Sequence, residues 1–183
     1  MATGARVSGR GASWQDSFVT DSTLAARDWD PGRHGATAAG PDEGPYEWFV
    51  LARVHLVEGR ARDAADLFSR VVTADPSSRS AWEGLARARF DSADYDLAAE
   101  AFGHLADLAP DDDYAHFGLG LSLWRLRRFA EARDHLGMAL AMRPDRADYA
   151  SALGQVKATL AARRHAGLPP DGQPGDVVPG VFE

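Results

Sequence analysis

The chain has no cysteine. Disulfides, thiolate zinc sites and cysteine nucleophiles are excluded together, which suits a reducing compartment. Lysine is nearly missing: Lys157 stands alone among twenty basic residues. Beside so much alanine, that bias reads as GC-rich coding rather than function. No apolar run approaches the ~18 uninterrupted residues that a membrane-spanning helix needs. Residues 1–11 lack the apolar stretch of a secretory signal. A soluble, cytoplasmic protein that does not engage a membrane is expected.

Recognisable chemistry is missing too. No glycine-rich phosphate loop follows a strand, and no strand pattern is visible. Ser17, Ser22 and Ser122 have no evident base partner. The histidines (His34, His55, His104, His116, His135 and His165) show no metal-ligand spacing on a helix face with carboxylate support. Asp111, Asp112 and Asp113 ahead of His116 read as a turn and a helix N-terminus, where acids favour the dipole. No enzyme activity, cofactor or metal is expected. The net charge of −7 argues against nucleic acid as a partner. It is unevenly spread: residues 79–112 carry eight acids against three arginines, and residues 113–165 carry nine bases against five acids. The basic, aromatic run from Trp124 to Arg128 would suit a single-strand binder. Its place at a helix end gives those cations a simpler role, complementing the helix C-terminus.

What the chain does have is a period. Pro76, Pro110 and Pro144 are 34 residues apart, and so are Ala64, Ala98 and Ala132, and Phe68, Phe102 and Leu136. A fixed period of this length marks a repeat array. The units run over residues 45–78, 79–112 and 113–146. Each reads as two helices of about 12–14 residues with a short turn between them. The helices are expected at 46–58 and 62–74, at 80–90 and 95–108, and at 114–126 and 129–142. Trp48, Leu51 and Ala52, then Trp82, Leu85 and Ala86, form an i, i+3, i+4 stripe on the first helix of a unit. Leu119 and Gly120 continue it, with His116 at the tryptophan position. Small residues sit where backbones must come close: Ala52 with Ala64, Ala86 with Ala98, and Gly120 with Ala132. Phe68, Phe102 and Leu136 fill the wedge between a second helix and its neighbours.

Beyond the third unit, residues 147–165 keep the phase through Tyr149, Leu153 and Gly154 and end on Arg163 and Arg164. They read as a solvating cap helix. Residues 1–44 are glycine- and proline-punctuated and are expected to be mostly disordered. Two pieces of that segment carry aromatics, residues 14–19 and 23–29, and could dock on a partner or on this chain's own groove. Residues 166–183 hold four prolines and four glycines and are expected to be a disordered tail with an apolar end.

The spacing Trp-x2-Leu-Ala, the inter-helix turns at Gly59-Arg60-Ala61, Asp94-Tyr95 and Arg128-Phe129, and the alanine, aromatic and proline positions resemble the tetratricopeptide repeat family. The resemblance covers residues 45–165. It departs from the family pattern at His116, and at His55 and Arg89, where a tyrosine is usual. It implies an all-α, right-handed α-solenoid of three helix-turn-helix repeats with a C-terminal capping helix and disordered tails.

The resemblance also implies a concave groove lined by the first helix of each unit. Its positions fall on Tyr46, Phe49, Arg53, Leu56 and Val57, on Ser80, Glu83, Arg87, Phe90 and Asp91, and on Tyr114, Phe117, Leu121, Trp124 and Arg125. That set is apolar and aromatic, as binding surfaces on soluble proteins are. The expected function is non-enzymatic: an adaptor that holds a protein partner's peptide or helix in the groove. One alternative is a self-associating scaffold, a homo-oligomer whose groove is filled by a tail or by another copy. Another is an accessory subunit of an enzyme. The family's clamp for Hsp70 and Hsp90 C-terminal tails needs lysine and asparagine, and here Phe49, Arg53, Gly84, Tyr114 and Gly118 occupy its positions, so such tails are not expected partners. An aspartate at Phe117 or Trp124 is expected to abolish binding with little loss of helicity, and Ala98→Trp to unfold the array by overpacking.

Overall fold

A computed structural model describes residues 44–172. Among them it contains seven α-helices. They are α1 (Pro45–Val57), α2 (Ala61–Ala74), α3 (Arg79–Asp91), α4 (Tyr95–Leu108), α5 (Asp113–Arg125), α6 (Phe129–Met142) and α7 (Ala147–His165). Each expected helix is present within a residue or so of its expected bounds. The helices pair as α1–α2, α3–α4 and α5–α6, with α7 closing the stack. Each packs on its chain neighbours, and α1, α3, α5 and α7 also touch in turn. The odd helices thus form one layer of an all-α solenoid. The residues expected to be disordered at the N-terminus, including both aromatic pieces, lie outside the described residues.

Helix starts and stops follow from local chemistry. Pro45 opens α1, and the Gly44 N–H donates to Glu47 Oε2 at 3.0 Å. Asp112 Oδ1 accepts the Ala115 N–H at 3.1 Å and caps α5. Helices α1, α3, α5 and α7 all end on a left-handed residue: Gly59, Ala93, Arg127 and Gly167, with φ of 74°, 64°, 62° and 66°. The next N–H in each case reaches back five residues, as in Arg60 to the His55 carbonyl at 2.8 Å and Arg128 to the Leu123 carbonyl at 2.9 Å. Ala93 and Arg127 hold a conformation that costs a side-chain-bearing residue ~1 kcal/mol. Helices α2, α4 and α6 end differently. Asp75, Ala109 and Arg143 swing to φ of −136°, −144° and −131°. Each precedes a proline, whose ring forbids helical backbone at the residue before it.

Stacking depends on one recurring contact. The ring of Phe68 on α2 lies face-on against Gly84 of α3, and the ring of Phe102 on α4 lies likewise against Gly118 of α5. A Cβ at either glycine would overlap the ring carbons. One step on, the ring gives way to Leu136 and the glycine position to Ala152, and both are fully buried. The smaller partner on one side thus admits the larger on the other. Gly120, at the position of Ala52 and Ala86, adds a second close approach, where a Cβ would stand 2.7 Å from Leu136 Cγ. Ala64, Ala98 and Ala132, expected at close helix crossings, have no exposed surface.

Residues 166–172 depart from the expected disordered tail. The chain turns back after α7 and ties itself to the α5–α6 turn. Arg163 donates from Nε to the Pro169 carbonyl at 2.7 Å and from Nη2 to the Asp171 carbonyl at 2.8 Å. Asp171 Oδ1 accepts the Ala130 N–H at 2.9 Å, capping α6, and the Gly172 N–H donates to the Arg127 carbonyl at 3.1 Å. Arg163 is therefore buried over the Phe129 ring rather than solvating the end of the cap helix. The remainder of the expected tail, 173–183, lies outside the described residues.

Gly118→Ala should lower stability by about 1–3 kcal/mol in urea unfolding, because the added methyl meets the Phe102 ring. Phe102→Leu in the same chain should recover most of that loss by copying the Leu136–Ala152 pairing. If the two losses simply add, the ring–glycine contact does not govern the stacking.

Candidate peptide-binding face

The residues expected to line a groove fall into three groups. Tyr46 at 70% exposure, Arg53, Glu83 and Arg125 are open to solvent, and so is Val57 at 72%. Phe49, Leu56, Arg87, Tyr114 and Trp124 are half-buried. Phe90, Phe117 and Leu121 are buried, at 7%, 1% and 3% exposure, so their expected place on an open face is corrected. Packing explains it for the aromatic pair. Phe117 stacks on Tyr149 of α7 with ring centres 4.3 Å apart, and Phe90 meets the edge of Tyr95 at 5.4 Å.

The open residues gather at two places. One is α1, where Tyr46, Phe49, Arg53 and Leu56 share a face. Phe49 there meets the Phe68 ring edge-on at 5.6 Å, so it is anchored beneath and open above. The other is the C-terminal end of α5. Arg125 there extends over the Tyr95 ring, 5.7 Å from its centre.

Between them lies a polar crossing from α3 to α5. Arg87 Nε is 3.6 Å from Asp91 Oδ2, one helical turn away. Burial pushes the Asp91 carboxyl above the usual carboxylate range, and the Arg87 guanidinium pulls it back. The field of Arg87, Glu83 and Asp91 also reaches the Tyr114 phenol of α5. Burial raises that phenol well above its ordinary value, so it stays protonated and can donate a hydrogen bond. An open cleft of about 320 Å³ lies between the α1–α2 turn, at Gly59, Arg60 and Arg62, and the end of α3, where Asp91 joins it to the polar crossing.

Tyr149 is the participant that sequence reasoning missed. Its spacing marks it only as a phase-keeping residue of the cap, yet it has no exposed surface and its hydroxyl donates to Asp113 Oδ2 at 2.7 Å. Its equivalents in the second and third units, Ala81 and Ala115, are small and equally buried. A large ring at a position of small residues was the available signal. Among the described residues, no helix is long and apolar enough to cross a membrane.

The fold and this face can be set beside known proteins. The tetratricopeptide repeat profile matches residues 49–113 and 83–147, and the chain belongs to that family. No curated protein matches it. Among solved structures, the first tetratricopeptide domain of Spaghetti (RPAP3), bound to the HSP90 peptide SRMEEVD, is similar at 18% identity and a TM-score of 0.61, over 64% of this chain and 93% of that one. A MamA structure is similar at 22% identity and a TM-score of 0.62, over 70% of each chain. The Sgt2 tetratricopeptide domain from Aspergillus fumigatus is similar at 16% identity and a TM-score of 0.62, over 78% of this chain and 94% of that one. At these identities the likeness is one of fold.

Phe117→Ala should cost about 3 kcal/mol in urea unfolding, the loss of a fully buried ring. Arg125→Ala should cost no more than ~1 kcal/mol, the value of an exposed cation–ring contact. Equal losses at the two positions would refute the division into packed and open residues.

Proposed function

We propose that the chain is a non-enzymatic interaction module of 45–172. It holds a peptide or amphipathic helix of a protein partner against the odd-numbered helices. The observation that carries this reading is the α1 face. Tyr46, Phe49 and Leu56 leave apolar surface beside the exposed cation Arg53, on a helix packed against α2. Aromatic and arginine side chains are the types that carry most interface energy. A ligand with apolar anchors and an acidic side chain fits that chemistry. A chaperone-tail clamp fits it poorly. Gly84 and Gly118 occupy two clamp positions, and the Phe68 and Phe102 rings cover both.

The second reading is self-association, in which a second copy of this chain or one of its tails occupies the same face. The further possibility, an accessory subunit for an enzyme, requires the same face to hold that enzyme.

Tyr46→Asp with Arg53→Glu should abolish capture of the partner from a native lysate. Because both side chains are exposed, stability should stay within about 0.5 kcal/mol of the parent. Retained capture would remove the α1 face from the reading. Light scattering on the same pair separates the alternatives, since loss of a dimer in the variant would assign the face to self-association.

A further inference from the structure

Two histidines nineteen residues apart in sequence meet in the third unit. Their ring planes are nearly parallel, 18° apart, with centres 5.4 Å apart, and the two Nδ1 atoms are 3.2 Å from each other, so the rings meet edge to edge. His116 on α5 stands where the earlier units have Trp48 and Trp82, and it is buried at 7% exposure. Its Nε2 lies 3.1 Å from the Pro110 carbonyl, at the turn from α4, just as Trp82 reaches Pro76. His135 on α6 stands where the earlier units have Leu67 and Ala101. The pair is therefore peculiar to the third unit.

The contacts fix the protons. A carbonyl oxygen only accepts, so His116 Nε2 carries a hydrogen and donates to Pro110. In neutral His116 that leaves Nδ1 bare. The facing Nδ1 of His135 must then carry a hydrogen and donate across the gap, which leaves His135 Nε2 as the basic atom of the pair.

We propose that the His116–His135 pair is a proton-operated clip between α5 and α6. With one hydrogen between the facing Nδ1 atoms the rings are joined. When both Nδ1 atoms carry a hydrogen, two N–H groups face each other at hydrogen-bond distance and the rings part.

The surroundings set the range in which this happens. Glu131 and Asp134, on the same helix as His135, favour its proton. Arg128, at the start of that helix, and His116, from α5, oppose it. Burial opposes it most, and the net result holds His135 below the ordinary histidine value of 6.5. Because the folded value is depressed, the stabilisation is present at neutral pH. It is lost as pH falls below 6.5 and the unfolded chain takes up protons that the folded pair resists. The helix that acid loosens carries Tyr114, Trp124 and Arg125 of the proposed face.

The test compares the full chain with His116→Trp/His135→Ala, which copies the Trp82–Ala101 arrangement of the second unit. Urea unfolding is followed between pH 7 and pH 5. The parent's unfolding constant should rise more steeply than the variant's as the pH falls over that interval, by up to about tenfold for each pH unit in which the unfolded chain binds one proton more than the folded chain. His135→Ala alone keeps the His116–Pro110 bond and should flatten the profile in the same way, so the comparison stands if the double variant does not fold. Nitrogen-resolved imidazole spectra of the parent should show His135 protonated on Nδ1 and His116 on Nε2 at neutral pH. Parallel pH profiles, or a His135 that carries its hydrogen on Nε2 at neutral pH, would overturn the proposal. Neither readout depends on the binding face.

Discussion

The structure rests on an aromatic ring lying flat on a glycine of the next unit. A helix pair of this size cannot bury its own apolar face, so each unit must borrow surface from its neighbour. The ring of Phe68 reaches across to α3, and that of Phe102 to α5. Each can do so only because no Cβ stands in the way. The proline-ended turns set the approach of each new helix, and the left-handed residues at 59, 93 and 127 set the return. With those two turns repeating, the ring meets the same backbone position each time.

That close approach shapes what the odd-helix face can hold. At Gly84 and Gly118 the face has no side chain to offer, and the backbone is sealed from behind by a ring. Recognition must come from positions on either side. At α1 these are Tyr46, Phe49 and Arg53. Around α5, Phe117 is spent on packing against Tyr149, which leaves Tyr114, Trp124 and Arg125 at the rim. The face is therefore divided into an apolar, cationic end at α1 and a second patch at α5. The Arg87–Asp91 pair lies between them.

Much of the fold was legible in the sequence because its determinants are local and repeated. Pro76, Pro110 and Pro144 end a helix by their own covalent geometry, and the alanines mark crossings where nothing larger fits. The binding face was harder to read, because exposure at one position is decided by a residue in the next unit. Phe49 and Phe117 occupy the same place in their repeats. Ala81 stands ahead of the first and Tyr149 ahead of the second, so one ring stays half-open and the other is buried. The fold-back of 166–172 was hidden for a related reason. Its glycines and prolines look unable to pack, and hydrogen bonds hold it instead: those of the Arg163 guanidinium and the Asp171 carboxylate, with the Gly172 N–H on the Arg127 carbonyl. The His116–His135 contact likewise depends on two helices crossing at one register, and neither residue announces it alone.

The most direct test of the central contact needs no substitution. In a carbon-resolved proton spectrum of the full chain, one α-proton of Gly84 and one of Gly118 should lie well upfield of the others, shielded by the Phe68 and Phe102 ring faces. Gly103 and Gly137, whose missing Cβ would meet nothing, should appear at ordinary positions. Upfield shifts confined to the first pair would support the ring-on-glycine rule. Ordinary shifts at Gly84 and Gly118 would contradict it.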